Sequence, residues 1–223
     1  MIVAIDGPAG SGKSTVARSV SQQTGFFYLN SGHFYRAVTW LALRSGVQEA
    51  DERTIVEAAR RSGITVEKGR LHIDGVDRET ELRSEAVEAW VARHSGFASV
   101  REVVNEKLVE IAKGMDVVVE GRDMTTVVFP HADVKIFLDA DIDTRARRRC
   151  GQFQAESTLE EVRKQIRQRD EYDKTKRHGS LRISPDALYL DTSDLTLDQV
   201  CDKVINTVRK MRNHQELQGS HGR

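Results

Sequence analysis

The stretch Ile2-Val-Ala-Ile-Asp-Gly7-Pro-Ala-Gly-Ser-Gly12-Lys13-Ser14-Thr15 decides how this chain is read. Its first four residues are apolar and mostly β-branched, as in a short buried strand, and a helical pattern opens near Lys13. Between them lie Gly, four residues, Gly, Lys and Ser, in the strand-to-helix setting that a phosphate-binding loop requires. An ordinary turn needs one or two glycines, whereas this one has three, followed by an amine and two hydroxyls. Gly7, Gly10 and Gly12 let successive N–H groups face a β-phosphate, and the N-terminus of the helix adds its positive end. Gly7, Pro8, Ala9, Gly10, Ser11, Gly12, Lys13, Ser14 and Thr15 are therefore the expected nucleotide-binding residues. Lys13 is expected to bridge the β- and γ-phosphates, with the Ser14 hydroxyl directed at Mg²⁺.

Outward from this loop, apolar runs recur at residues 2–5, 26–29, 117–119, 134–138 and 187–190, separated mostly by longer amphipathic segments. That alternation predicts an α/β protein with a doubly wound P-loop NTPase fold, a five-stranded parallel sheet flanked by helices. Helical periodicity covers residues 13–23, 33–44, 52–61, 101–113, 142–153, 159–169 and 197–211, and Thr158 with Glu161 has the spacing of a capping box. One segment breaks the pattern. Residues 64–75 alternate polar and apolar around Lys68-Gly69 like a hairpin, which predicts a small inserted β unit at about 63–82 and a helix at about 84–94. The chain is thus expected to form one domain over residues 1–212, with an acceptor-binding insertion at about 63–95, a lid at about 145–160 and a disordered tail at 213–223.

Composition excludes several classes. No apolar run approaches the roughly 18 residues that cross a bilayer, and the first residues lack the layout of a signal peptide, so a cytoplasmic protein with no membrane partner is expected. Cys150 and Cys201 are far apart and outside any metal-binding spacing, which predicts two reduced thiols. Lysine plus arginine and aspartate plus glutamate both number 34, and this balance argues against a nucleic-acid partner. The arginines are nonetheless clustered, at Arg145, Arg147, Arg148 and Arg149 and again between Arg163 and Arg177. A phosphate-binding loop alone does not separate kinases from other NTPases, but the guanine-specific Asn-Lys-x-Asp signature is missing from the sequence.

Four segments carry more specific information: Asn30-Ser-Gly-His-Phe-Tyr-Arg36, Glu120-Gly-Arg-Asp-Met-Thr-Thr-Val-Val-Phe-Pro130, Val134-Lys-Ile-Phe-Leu-Asp139 and Gln168-Arg-Asp-Glu-Tyr-Asp173. Together with the loop they resemble the bacterial cytidylate kinase family, over residues 1 to about 210. The resemblance implies transfer of the γ-phosphate of ATP to CMP, with dCMP a second acceptor, Mg²⁺ as cofactor, small nucleotides as the only partners, and a monomer. It implies Ser31 and Arg36 at the monophosphate pocket, with Arg36 and Arg122 clamping the acceptor phosphate, a role suited to a bidentate guanidinium. Arg101 and Asp123 resemble the readers of the cytosine edge, where a carboxylate accepts from the exocyclic amine and a guanidinium donates to O2 or N3. Arg169 and Asp173 resemble ribose and phosphate contacts, although such an i,i+4 pair also commonly decorates an exposed helix. Glu120, ending a strand, is expected either to orient Mg²⁺ through water or merely to be solvated. Arg145 and Arg149 are the expected lid arginines, assigned with Lys13 and Arg122 to the catalytic group.

Three positions depart from the family pattern: Asn30 stands for an aspartate, Ala92 for a serine and Lys176 for an arginine. Two other readings stay open from the sequence. One is a kinase for a different small acceptor such as UMP; the other is a nucleotide-dependent nucleic-acid-binding protein using the basic helices as a phosphate track.

Overall fold

The computed structural model describes residues 1–46, 51–152 and 158–220. In chain order the first elements are β1 (Ile2–Asp6), α1 (Lys13–Thr24), β2 (Phe27–Asn30), α2 (Ser31–Arg44), α3 (Glu52–Arg61), β3 (Ile64–Glu67), β4 (Arg70–Ile73) and β5 (Val76–Asp77). A 3₁₀ turn at Glu81–Arg83 leads to α4 (Glu85–His94), α5 (Ala98–Ala112), β6 (Val117–Gly121), a π turn at Met124–Val128 and β7 (Val134–Asp139). The chain closes with α6 (Ile142–Gln152), α7 (Leu159–Thr175), β8 (Leu188–Asp191) and α8 (Leu197–Ser220). Contacts divide it into two compact units: unit 1 is Met1–Tyr28, Met115–Thr175 and Ser180–Arg223, and unit 2 is Leu29–Gly114 and Lys176–Gly179.

Unit 1 is built on the expected five-stranded sheet, in the order β2-β6-β1-β7-β8, with parallel β1–β6, β1–β7 and β7–β8 ladders. A parallel sheet covered on both faces needs continuous apolar strands. Val3, Ala4 and Ile5 of β1 and Val117, Val118 and Val119 of β6 are all fully buried. Val16, Ala17 and Val20 of α1 and Val200, Val204 and Val208 of α8 join this sheet in one core cluster. The register sets Ile5 beside Glu120 and Asp6 beside Gly121, so two carboxylates stand at the carboxyl edge where open α/β sheets collect ligands.

Unit 2 holds α2 to α5 and a three-stranded antiparallel sheet, β3-β4-β5. The expected hairpin is present, with Lys68 and Gly69 at φ 51° and 74°, as a two-residue primed turn demands. A second such turn follows at Asp74 (φ 51°) and Gly75 (φ 77°), adding the short strand β5 that the alternation alone did not announce. The unit extends well beyond the expected insertion, since α2, α3 and α5 belong to it.

Three helix boundaries differ from expectation for visible reasons. α5 begins at Ala98, with Phe97 at its N-cap and no side-chain oxygen to signal the start. The buried stripe of α7 runs Val162, Ile166, Asp170, Asp173, so its apolar period stops while the helix continues to Thr175. α8 continues through the expected tail to Ser220, and beyond Met211 its anchors are polar: Arg212 to Asp116 at 2.6 Å and Gln215 to Asp133 at 2.5 Å.

Candidate active site

In unit 1 the loop after β1 takes its shape from close approaches that only glycine permits. A Cβ on Gly7 would overlap the Leu138 carbonyl, and one on Gly10 (φ +77°) would lie 3.1 Å from the Arg145 carbonyl. Gly12 stands at the N-cap of α1 and supplies no side-chain cap. The first-turn N–H groups of a helix lack intrahelical partners and suit an anion. Lys13 is buried there, its Nζ donating to the Pro8 carbonyl at 2.7 Å and to Ser11 Oγ at 3.4 Å. Burial first, and then the positive charge of Arg122, press its pKa down to about 7; Glu120, Asp6 and Asp173 pull the other way. A phosphate at this position would restore the ammonium by supplying the missing negative charge.

The same field shows that Lys13, Glu120, Arg122 and Asp173 share one neighbourhood. Asp173 is fully buried, and its Oδ2 accepts from Arg122 Nε at 2.8 Å and Arg169 Nε at 3.2 Å. Arg169 and Asp173 are therefore not a solvated helix decoration: their carboxylate joins α7 to the residue that follows β6. Glu120 is buried and accepts from the Tyr28 hydroxyl at 2.7 Å, which removes the merely solvated reading. Among the described residues no three His, Cys, Asp or Glu side chains gather as a metal cage. A nucleotide-borne Mg²⁺ needs only one or two protein oxygens beside phosphate and water, and Ser14, exposed on the first turn of α1, with Glu120 at the strand edge, fits that donor set.

Asp6, which the sequence reading did not single out, ties the nucleotide loop to the turn after β6. It is fully buried, and its carboxylate accepts from Met124 N at 2.9 Å, Thr125 N at 2.7 Å and Thr125 Oγ1 at 2.7 Å. Those residues directly follow Arg122 and the buried Asp123. A charged residue ending an apolar strand was the available signal.

The structure places Arg145 otherwise than expected. It is buried, donating from Nε to the Ala140 carbonyl at 2.9 Å and from Nη1 to the Ala9 carbonyl at 3.1 Å and the Asp170 carboxylate. Asp170 in turn accepts from Ala9 N at 3.2 Å. A buried guanidinium must spend its donors on partners, and this one spends them bracing the nucleotide loop at Ala9 rather than swinging on a lid. Arg149, one turn further along α6, is half-buried; of the lid expected at about 145–160, residues 153–157 lie outside the described residues.

Unit 2 carries the remaining expected residues. Asn30 caps α2 by accepting from His33 N at 3.3 Å, a task that an aspartate would also perform, and Ser31, the first helical residue, is buried. Arg36 pairs with Glu88 of α4 on a partly exposed surface. Arg101 is buried, lies over the Tyr35 ring at 5.3 Å and donates to the Ser95 carbonyl at 3.1 Å. Ala92, on α4, is half-buried, and Lys176 belongs to the four-residue return that unit 2 receives after α7.

A parallel sheet in this order, with a glycine-built phosphate loop, a buried lysine and arginines matched to buried carboxylates, defines a P-loop phosphotransferase. The fold agrees with that of a gluconokinase from Sinorhizobium meliloti 1021, at a TM-score of 0.51 and 13% identity, covering 97% of this chain and 95% of that one. Sequence is more specific. The family model described as cytidylate kinase matches residues 3–210. A cytidylate kinase of Borrelia hermsii is 40% identical over 212 residues, covering 93% of this chain and 97% of its own. One of Caldanaerobacter subterraneus subsp. tengcongensis is 41% identical over 211 residues, covering 93% and 94%. The chain belongs to the cytidylate kinase family.

Proposed function

We propose that this protein transfers the γ-phosphate of ATP to CMP, and to dCMP as a second acceptor, giving ADP and the nucleoside diphosphate. The observation that carries the reading is the coincidence of a family match over residues 3–210 with a phosphate loop whose buried Lys13 shares its surroundings with Arg122 and Asp173. In-line transfer between phosphate oxygens asks for alignment and charge stabilisation rather than a side-chain nucleophile, so no general base is assigned. Lys13 and the amides at the start of α1 hold the ATP phosphates. Arg122 and Arg36 take the acceptor phosphate, Arg101 and Asp123 read the cytosine edge, Ser31 lines the acceptor pocket, and Asp173 with Arg169 contacts ribose and phosphate. Mg²⁺, held by Ser14 and through water by Glu120, would neutralise charge on the phosphate oxygens. Arg149 is retained as the lid residue, and Arg145 acts on the reaction by holding the loop. The protein works as a cytoplasmic monomer on free nucleotides.

The test is ADP release with ATP and Mg²⁺ in the presence of CMP, dCMP, UMP, AMP, GMP or no acceptor, for the parent and Asp123→Ala. CMP should lead, and the variant should lose that lead. If no monophosphate accelerates ADP release, the acceptor assignment is abandoned.

A further inference from the structure

Residues 176–179 leave the end of α7 and pack with unit 2, where Gly179 meets Arg101. Gly179 has φ +64°, and a Cβ built on it would overlap the Arg101 guanidinium at Cζ, Nε and Nη2 together. The guanidinium has little room to retreat. Its side chain is buried, one amino group is bonded to the Ser95 carbonyl, and its Cζ lies over the Tyr35 ring. Ser95 is itself steadied by its hydroxyl, which donates to the Ala92 carbonyl at 2.8 Å. A carbonyl, a ring and a bare glycine thus bound the slot, and the glycine is the boundary that any side chain would erase.

We propose that Gly179 is a specificity-determining position: the side chain it lacks creates the slot that holds the Arg101 guanidinium in its base-reading orientation. This rests on the reading of Arg101 as a cytosine-facing group. The three atoms nearest to a methyl at Gly179 all belong to Arg101, so the substitution acts on the acceptor by displacing that guanidinium. A guanidinium that still exists but points wrongly loses a charge-assisted hydrogen bond to the base, which corresponds to roughly a tenfold or larger rise in KM.

The experiment compares Gly179→Ala, Arg101→Ala and the double variant with the parent, reading KM and kcat for CMP and UMP, KM for ATP, and Tm. Gly75→Ala controls for left-handed strain, because Gly75 has φ +77° and open space where a Cβ would stand. Gly179→Ala is expected to raise KM for CMP about tenfold or more and lower the CMP-to-UMP preference. KM for ATP should change less than about twofold, and Tm should fall further than in the strain control, because Arg101 must repack. In the Arg101→Ala background the added Gly179→Ala should have no further effect on KM for CMP. If Gly179→Ala leaves KM and preference at parental values while Arg101→Ala lowers the preference, the proposal is overturned and the base reading survives. If Arg101→Ala itself leaves the preference unchanged, the base reading falls and the specificity role of Gly179 falls with it.

Discussion

Asp6→Asn perturbs the tie between the nucleotide loop and the Arg122-Asp123 turn, and its consequence can be worked out from one buried carboxylate. Burial is the largest influence on Asp6; it outweighs the hydrogen bonds from Thr125 and Met124 and lifts the pKa from 3.8 to about 6. For a group whose pKa is raised by folding, the contribution to stability is fully present below the unfolded value and is lost as pH rises through the folded one. A lift from 3.8 to about 6 corresponds to roughly 3 kcal/mol in all, of which about 1.4 kcal/mol is lost between pH 5 and pH 8. Asparagine cannot ionise and lacks that slope. It brings a different defect, because its amide nitrogen would face the Met124 or Thr125 N–H and leave a buried donor unmet, at about 1–3 kcal/mol at every pH. The variant should therefore be less stable than the parent at pH 5, and the gap should shrink by about 1.4 kcal/mol towards pH 8. In a chain of this size that equals a narrowing of about 3–6 °C in Tm. Calorimetric melting of both proteins without nucleotide at pH 5, 6, 7 and 8 measures it. A Tm gap that stays constant or widens with pH refutes the reasoning.

Other perturbations have equally direct readouts. Glu88→Gln releases Arg36 from an exposed ion pair, so KM for CMP should fall about two- to fivefold with KM for ATP unchanged in steady-state kinetics. Gly7→Ala drives a methyl into the Leu138 carbonyl and displaces the loop; ATP turnover should drop by about 100-fold or more, with a matching loss of ATP binding by calorimetry. Arg145→Ala strands the buried Asp170 and should cost about 3–5 kcal/mol in urea unfolding. Adding Asp170→Ala should recover part of that loss, since the uncompensated charge goes with it.

The sheet was legible because a parallel strand covered on both faces has to be an unbroken apolar run, and residues 2–5, 117–119 and 136–138 are such runs. The second primed turn was not, because Asp74-Gly75 is followed by only two paired residues, too few to show alternation. α7 outruns its expected end for a more instructive reason: its buried stripe changes from Val162 and Ile166 to Asp170 and Asp173. A period defined by apolarity ends where a buried face turns to charge, and that is also where this helix meets Arg122 and Arg145.

The nucleotide loop could be read residue by residue because its function resides in backbone and spacing, which sequence displays directly. The arginines could not. Arg145 and Arg149 are identical in type and one turn apart on α6, yet Arg145 is committed to Ala9, Ala140 and Asp170, partners drawn from three separate stretches of chain. Its role depends on which carboxylate the fold delivers, and a cluster of like charges carries no record of that. The same dependence explains Asp173. As one member of an i,i+4 pair it looks ornamental; with Arg122 arriving from the end of β6 it becomes a buried anion shared by two cations. If Arg122 takes the acceptor phosphate as proposed, binding there is an exchange, in which the incoming oxyanion competes with a carboxylate already seated. The guanidinium is held ready, at the cost of affinity that an unpaired arginine would have kept.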